Sequence, residues 1–248
     1  MRITRLFHPE ELLCGETTQL EADASSHLIR VLRTKKDSPV ILFNGDGFDY
    51  YGKTLNNDAK KTLISIESKV NSSKESNLDI SLIQGLSRHD RMEYSIQKSV
   101  ELGVNRVIPV ICKRSNIKLT KEKQIKKQAH WRKVVISACE QSGRNIIPQV
   151  TEIISLADIN FELSNNALKL LLNPESNTSL KQISLKQGAA AVNKIEVCIG
   201  PEGGLTEEEI AVLQNCQFNN ISFGPRTLRT ETAGPAVISA LQMLWGDY

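Results

Sequence analysis

The sequence predicts an α/β protein, a small β-rich domain followed by a larger one on a mostly parallel sheet. Three observations predict this. Residues 1–72 hold short apolar runs broken by turn residues, whereas from Leu78 onward strand patterns alternate with helix patterns. The polar, aperiodic stretch Val70–Asn77 separates the two regimes and divides the chain into 1–72 and 73–248. Near the C-terminus, Ile199-Gly-Pro-Glu-Gly-Gly-Leu-Thr206 and Phe223-Gly-Pro-Arg-Thr-Leu-Arg-Thr-Glu-Thr-Ala-Gly234 each follow an apolar run and lead into a helix pattern. Glycine at such strand-to-helix turns admits positive φ and a close backbone approach to a ligand.

In the first domain, Thr17–Leu20 reads as a strand. Ser25–Arg33 reads as a short helix with Leu28, Val31 and Leu32 on one face. Pro39–Phe43, the turn Asn44-Gly-Asp-Gly47 and Phe48–Tyr51 form a hairpin pattern, and Lys61–Glu67 alternates as a further strand. In the second domain, Leu78–Leu86 is an apolar strand, and Ser87 is placed to cap a helix running to Leu102 and ended by Gly103. A strand at Val104–Cys112 and a long basic helix at Thr120–Gln141 follow. Strands are expected near Ile146–Val150, Leu168–Leu172, Lys194–Ile199 and Asn219–Phe223. Thr206-Glu-Glu-Glu209 opens a helix through a capping box, and the last helix runs from Thr230 to Trp245.

With 40% apolar and 24% charged residues, the 248-residue chain has the composition of a globular protein. It contains no apolar run of about 18 residues that would span a membrane, and its N-terminus is too polar for a secretory signal. The five cysteines are scattered through apolar runs as reduced core thiols, which makes the cytoplasm the expected compartment. His8, His27, His89 and His130 are too far apart for a local metal motif, so no metal is expected. The net charge of +3 hides an asymmetry: residues 73–160 carry fifteen basic and nine acidic side chains, residues 161–248 six and nine. Lys113–Lys133 alone holds nine Lys or Arg against Glu122. Two readings stand for this block, a solvated helix face and a footprint for an RNA backbone. Trp131 within it is either a stacking platform or core.

The glycine loops lack a Gly-Lys-Ser/Thr or Gly-x-Gly-x-x-Gly phosphate motif. Glu202 and the acids Glu207, Glu208 and Glu209 suit the helix dipole but would repel a phosphate. A neutral or cationic ligand, or a purely structural turn, fits better. Three strand ends are expected to converge there. They bring together Leu171 and Leu172, then Ile199, Gly200, Pro201, Glu202, Gly203 and Gly204, then Phe223, Gly224, Leu228 and Arg229.

These two loops resemble the signature segments of the RsmE family, bacterial ribosomal RNA methyltransferases of the SPOUT superfamily. His27-Leu-Ile-Arg-Val-Leu-Arg33 with Phe43-Asn-Gly-Asp-Gly47 resembles its N-terminal PUA-like barrel. Gln97–Gly103 and Ala138–Arg144 resemble its central motifs, so the likeness extends along the whole chain. One departure is Ala233-Gly234-Pro235, where the family pattern has small residues followed by an apolar one; Pro235 is expected in the first turn of the last helix. The resemblance implies a SPOUT-type trefoil-knotted methyltransferase domain preceded by a small PUA-like β-barrel. It also implies a homodimer, S-adenosylmethionine as the methyl donor, and N3 of a uridine in 16S rRNA of the small ribosomal subunit as the acceptor. The loop residues named above would then form the cofactor pocket.

Uridine N3 carries a proton at neutral pH, so the reaction needs a base or cations that stabilise charge on the uracil oxygens. Glu101, Glu140 and Glu231 are the candidate bases, and Arg229 is a candidate electrostatic stabiliser. Arg30, Arg33, Arg88, Arg114, Lys121, Lys126, Lys127 and Arg144 are the candidate RNA contacts. Val237, Leu241, Leu244 and Trp245 mark the last helix as a candidate dimer face. The alternative from another class is a catalytically inactive, ribosome-associated RNA-binding protein whose glycine loops are structural.

Overall fold

The computed structural model describes residues 3–115, 117, 119–159, 166–187 and 192–248. The chain forms two compact units, Met1–Glu75 with Cys139–Ile147, and Ser76–Ala138 with Pro148–Tyr248. The sequence division had placed residues 139–147 in the larger domain.

The first unit carries β1 (Thr4–Phe7), β2 (Thr17–Gln19), β3 (Pro39–Phe43), β4 (Phe48–Thr54) and β5 (Leu63–Asn71). They lie in the order β1-β3-β4-β5-β2, with β1 parallel to β3 and the other neighbours antiparallel. The edge strands approach each other: His8, just after β1, lies 2.9 Å through Nε2 from Thr18 Oγ1 of β2. The sheet is therefore curled around a core of Leu6, Leu20, Leu28, Leu42, Tyr50 and Ile64. Helix α1 (Ala22–Ser26) continues into a π-turn over His27–Val31, where Leu32 N–H reaches back to His27 O. That wider turn breaks the expected apolar face. Leu28 is buried, but Val31 is 65% and Leu32 44% exposed.

Residues 139–147 complete this unit. Glu140 accepts a hydrogen bond from Phe7 N–H (3.0 Å), Arg144 Nε donates to Glu75 (3.0 Å), and Asn145 Nδ2 donates to Gly47 O (2.9 Å). Burial raises the Glu140 carboxyl above its ordinary range, opposed by the Phe7 N–H.

The second unit carries β6 (Asp79–Gly85), β7 (Arg106–Ile111), β8 (Gln149–Val150), β9 (Ile154–Ser155), β10 (Leu168–Leu172), β11 (Lys194–Ile199) and β12 (Asn219–Ile221). Its sheet runs β12-β10-β11-β6-β7-β8, with β9 also on β7, and every one of these pairings is parallel. The near-continuous burial of β6, β10 and β11 is what a parallel sheet covered on both faces requires. The helices are α2 (His89–Glu101), α3 (Lys121–Ser142), α4 (Leu180–Gln187), α5 (Glu207–Asn215) and α6 (Thr230–Trp245). The Ser142 end of α3 belongs to the first unit.

Several local expectations change. Arg88, not Ser87, occupies the N-cap of α2 and makes no side-chain cap bond, while the Ser87 hydroxyl is buried without a partner. Trp131 is 2% exposed, which makes it core, with the Lys127 ammonium 5.6 Å from its ring centre. On α6, Val237 and Leu241 are buried within this unit rather than free for a partner; Met243 and Leu244 face outward. Pro235 falls in the second turn of α6, so the Glu231 carbonyl lacks its helical N–H donor. Gly234 lets that helix lie close to α2 and β11, since a Cβ there would stand 3.3 Å from Ser95 Oγ and 3.5 Å from Ile199 Cδ1.

Burial pushes the Cys112 and Cys139 thiols up to about 12 and raises Cys198 as well. Cys14 is exposed and Cys216 partly so. Iodoacetamide at neutral pH should therefore alkylate Cys14 first, with Cys112, Cys139 and Cys198 modified only after unfolding. Peptide mass spectrometry of native and denatured protein checks this; early labelling at any of the three buried thiols would contradict the packing described.

Candidate active site

The C-terminal ends of β12, β10 and β11 lie side by side, with Leu172 paired to Ile221 and Leu171 to Cys198, and β6 follows with Gln84 paired to Ile199. Such a rim is where open parallel sheets hold ligands. The loop after β11 turns tightly: Gly204 N–H bonds to Pro201 O (2.9 Å), and Gly204 has φ +70°. The loop after β12 starts at Phe223 and passes Gly224, whose φ is +77° and around which a Cβ would meet nothing within 4 Å. Leu172, Phe223 and Leu228 are half-buried and offer apolar walls.

The loop after β11 is braced from elsewhere. Arg114, exposed, donates through Nη1 to Leu205 O (3.2 Å) and reaches Gly203 O (3.4 Å), so this arginine also supports the glycine loop. A Cβ on Gly203 would stand 3.0 Å from Arg114 O, so bulk there first displaces the 112–115 segment. Thr206 and Glu209 make the expected capping box (2.8 and 3.2 Å), and the other Glu209 oxygen accepts Lys113 N–H at 2.7 Å. Lys113 also pairs with Glu208.

The rim's interior is a buried polar network that the sequence patterns did not reveal. Gln84, fully buried, donates to Thr230 Oγ1 (2.9 Å) and Gly85 O (3.2 Å) and accepts from Ser95 Oγ (3.0 Å). Thr230 Oγ1 donates in turn to Gly200 O (2.8 Å). The sequence signal was a Gln-Gly pair at the end of an otherwise apolar strand. Gly85 is required by contact, since its Cβ would fall 2.5 Å from Pro201 N.

The three candidate bases separate. Glu101 pairs with Lys98 (2.8 Å). Glu140 lies in the first unit, held by Phe7 N–H. Glu231, in the first turn of α6, lies 3.7 Å from Arg91 Nε through Oε1, while its Oε2 is buried without a partner. Arg91 Nη1 also bonds to Glu202 Oε1 (3.3 Å), which accepts Arg88 N–H as well (3.1 Å). Glu202 is thereby committed to the start of α2, and Arg229 is the exposed N-cap of α6.

Beside Arg91 opens a cleft of about 710 Å³ lined by Arg88, Asp90, Ile117, Leu119, Lys123, Lys126 and Lys127 as well. It gathers Arg88, Lys126 and Lys127 from the expected RNA set. Burial lowers the Lys127 ammonium, with Glu93 opposing. Lys121 is exposed at the start of α3. Arg30 and Arg33 belong to the first unit, Arg33 at φ 54°. Arg144, by contrast, is buried on Glu75 inside the first unit.

Residues 74–242 match the family model of the RNA methyltransferase domain. Over 246 residues, 99% of this chain and 98% of the relative, it is 33% identical to the ribosomal RNA small subunit methyltransferase E of Buchnera aphidicola subsp. Schizaphis graminum. A Legionella pneumophila protein solved with bound S-adenosylmethionine superposes at a TM-score of 0.93 with 35% identity, and covers 100% of both chains. The Neisseria gonorrhoeae ribosomal RNA small subunit methyltransferase E, also solved with S-adenosylmethionine, gives 0.90 and 34%, again over 100% of both. The chain belongs to the ribosomal RNA small subunit methyltransferase E family, the RsmE family that the loops resemble.

Gly85→Ala should displace the Gly200–Pro201 turn and cost about 1–3 kcal/mol of stability. Urea unfolding measures this. A midpoint equal to wild type would mean that the β6–loop contact is not as close as described.

Proposed function

We propose that this protein transfers the methyl group of S-adenosylmethionine to N3 of a uridine in 16S rRNA. The observation that carries the reading is the convergence of two glycine loops at three adjacent parallel strand ends, in a chain that matches its RsmE relatives along its full length. The residues present fit that cofactor. The rim offers half-buried apolar walls at Leu172, Phe223 and Leu228, open space at Gly224, and three acids rather than cations at the start of α5. A phosphate ligand would find no cation from the loop itself. Leu171, Leu172, Ile199–Gly204, Phe223, Gly224, Leu228 and Arg229 would hold it, Glu202 through the turn it fixes.

When bound, S-adenosylmethionine supplies an electrophilic methyl group. The chain's task is then to align the acceptor and remove its proton. The Glu231 carboxylate, its side chain 15% exposed at the rim, accepts the N3 proton; Arg229 at the same helix start stabilises charge on a uracil oxygen. Arg88, Lys123, Lys126 and Lys127 hold the RNA backbone across the cleft, with Lys121 beside it on α3; Arg30 and Arg33 are candidate RNA contacts of the first unit on its own.

The finer architecture belongs to the same reading. A PUA-like barrel in the first unit is supported by the curled sheet and the His8–Thr18 contact between its edges. A trefoil knot is supported by the chain path: from edge strand β12 it passes the 173–179 loop, with Ser222 N–H on Thr178 O (2.8 Å), before α6 reaches β6 and β11. Homodimerisation would use the outward Met243 and Leu244 with Tyr94 of α2, all exposed. A cytoplasmic location belongs to the same reading, supported by ribosomal RNA as substrate; no described helix is long and apolar enough to cross a membrane. A catalytically inactive RNA-binding protein is the weaker alternative, because the full-length relatives are named methyltransferases and two neighbours are solved with S-adenosylmethionine.

The test is incorporation of labelled methyl into unmethylated 16S rRNA or small subunits, followed by mapping of N3-methyluridine. Glu231→Gln should lower the rate roughly 10²–10⁴-fold with folding intact. A fully active Glu231→Gln variant would remove Glu231 as the proton acceptor. Lys123→Gln with Lys126→Gln should lower the slope of log affinity against log salt by roughly 0.7–0.9 per lost contact. An unaltered slope would place RNA away from this cleft.

A further inference from the structure

Three charged side chains from three elements meet at the rim: Arg91 of α2, Glu202 of the β11–α5 loop and Glu231 of α6. Arg91 touches the two carboxylates through different nitrogens, Nη1 to Glu202 Oε1 (3.3 Å) and Nε to Glu231 Oε1 (3.7 Å). Glu202 is itself fixed by Arg88 N–H at 3.1 Å, so the guanidinium has an anchored side and a working side. On the working side it stands within ion-pair range of Glu231 Oε1, whose side chain is 15% exposed, while Oε2 is buried with no hydrogen-bond partner among the described residues.

The fold does not depend on this contact. The N-terminal turn of α6 is already seated by Thr230 on Gln84 and Gly200, and by the close packing of Gly234. The Arg91 side chain is about a third exposed, where an ion pair adds little to stability. Its geometry matters instead. A planar fork can serve two carboxylates in fixed directions, whereas a lysine ammonium is a single point on a flexible stem. Arg91 also lines the basic cleft, so it stands at the boundary between the glycine loop and the proposed RNA site.

We infer that Arg91 is a positioning residue for methyl transfer: held by Glu202, it orients the nearby Glu231 carboxylate that takes the N3 proton of the uridine. The proton passes from N3 to the Glu231 carboxylate as N3 forms its bond to the methyl carbon and the sulfur–methyl bond breaks. Arg91 neither gives nor takes a proton. This rests on the reading of Glu231 as proton acceptor, and the experiment separates the two.

Arg91→Gln, Arg91→Lys and Glu231→Gln are prepared as full-length proteins. Single-turnover methylation of unmethylated small subunits is measured at saturating S-adenosylmethionine and RNA. Cofactor affinity by calorimetry and the thermal midpoint are measured alongside. Arg91→Gln should lower the saturated rate roughly 100-fold, the scale of losing a reactive alignment, with cofactor affinity and midpoint close to wild type. Arg91→Lys should recover only a minor part of the rate. If Glu231→Gln is inactive while Arg91→Gln reacts at the wild-type rate, the positioning role falls and the proton acceptor stands. A loss in Arg91→Gln confined to cofactor or RNA affinity, with the saturated rate preserved, also overturns it, as does full rescue by lysine. Wild-type rates in Glu231→Gln overturn the proton-acceptor reading instead, and this inference with it.

Discussion

A primary amide with no access to water must find its hydrogen bonds inside the protein, and the rim of the larger sheet is arranged around one such group. Gln84 is fully buried at the end of β6, and its partners come from α2 through Ser95 and from α6 through Thr230. Thr230 passes the constraint on to the Gly200 carbonyl of the β11 loop. Two helices and two strands are thereby joined by one side chain. A Thr230→Val change would leave the amide short of a partner at a cost of about 1–3 kcal/mol, which explains why a polar group is kept in an otherwise apolar strand. Gly85, next in the chain, completes the arrangement because only a residue without Cβ lets Pro201 approach.

From this rim the separation of labour is local. The glycine loop after β11 is held by groups behind it: Arg114 under Gly203 and Leu205, Glu209 between Thr206 and Lys113, Arg88 and Arg91 on Glu202. The acids of the glycine loop and the first turn of α5 are therefore mostly spoken for by protein donors. Glu231 differs from these acids in that its uncommitted oxygen is buried, as are those of Asp49 and Glu196 elsewhere in the chain.

Much of the parallel sheet and the glycine loops was legible in the sequence, because their signals are local. β10 and β11 are mostly apolar runs bounded by turn residues, Gly103 and Gly204 mark positive φ, and Thr206 with Glu209 encode the capping box within four residues. What was not legible depends on distant partners. Glu101, Glu140 and Glu231 are alike as sequence, and only Lys98, Phe7 and Arg91 tell them apart. The same holds for Arg144, basic in the sequence but buried on Glu75, 69 residues away. The π-turn at His27–Val31 escaped because its period is neither 3.6 nor 2, so Leu28, Val31 and Leu32 imitate a helix face that the backbone does not form. β1 and α4 were missed for lack of length and of apolar periodicity; β1 gains its place from pairing with β3.

The return of residues 139–147 to the first unit has a consequence for synthesis. A domain made of one continuous N-terminal segment can fold as soon as that segment leaves the ribosome. Here Glu75, Gly47 and the Phe7 N–H find their partners Arg144, Asn145 and Glu140 only after about half of the chain has emerged. The five strands and the His8–Thr18 contact are all encoded before residue 72, so the sheet itself can form early. What it gains only once α3 has been translated are the three contacts from residues 139–147, so the first unit reaches its final form after β6, α2, β7 and α3 have been made.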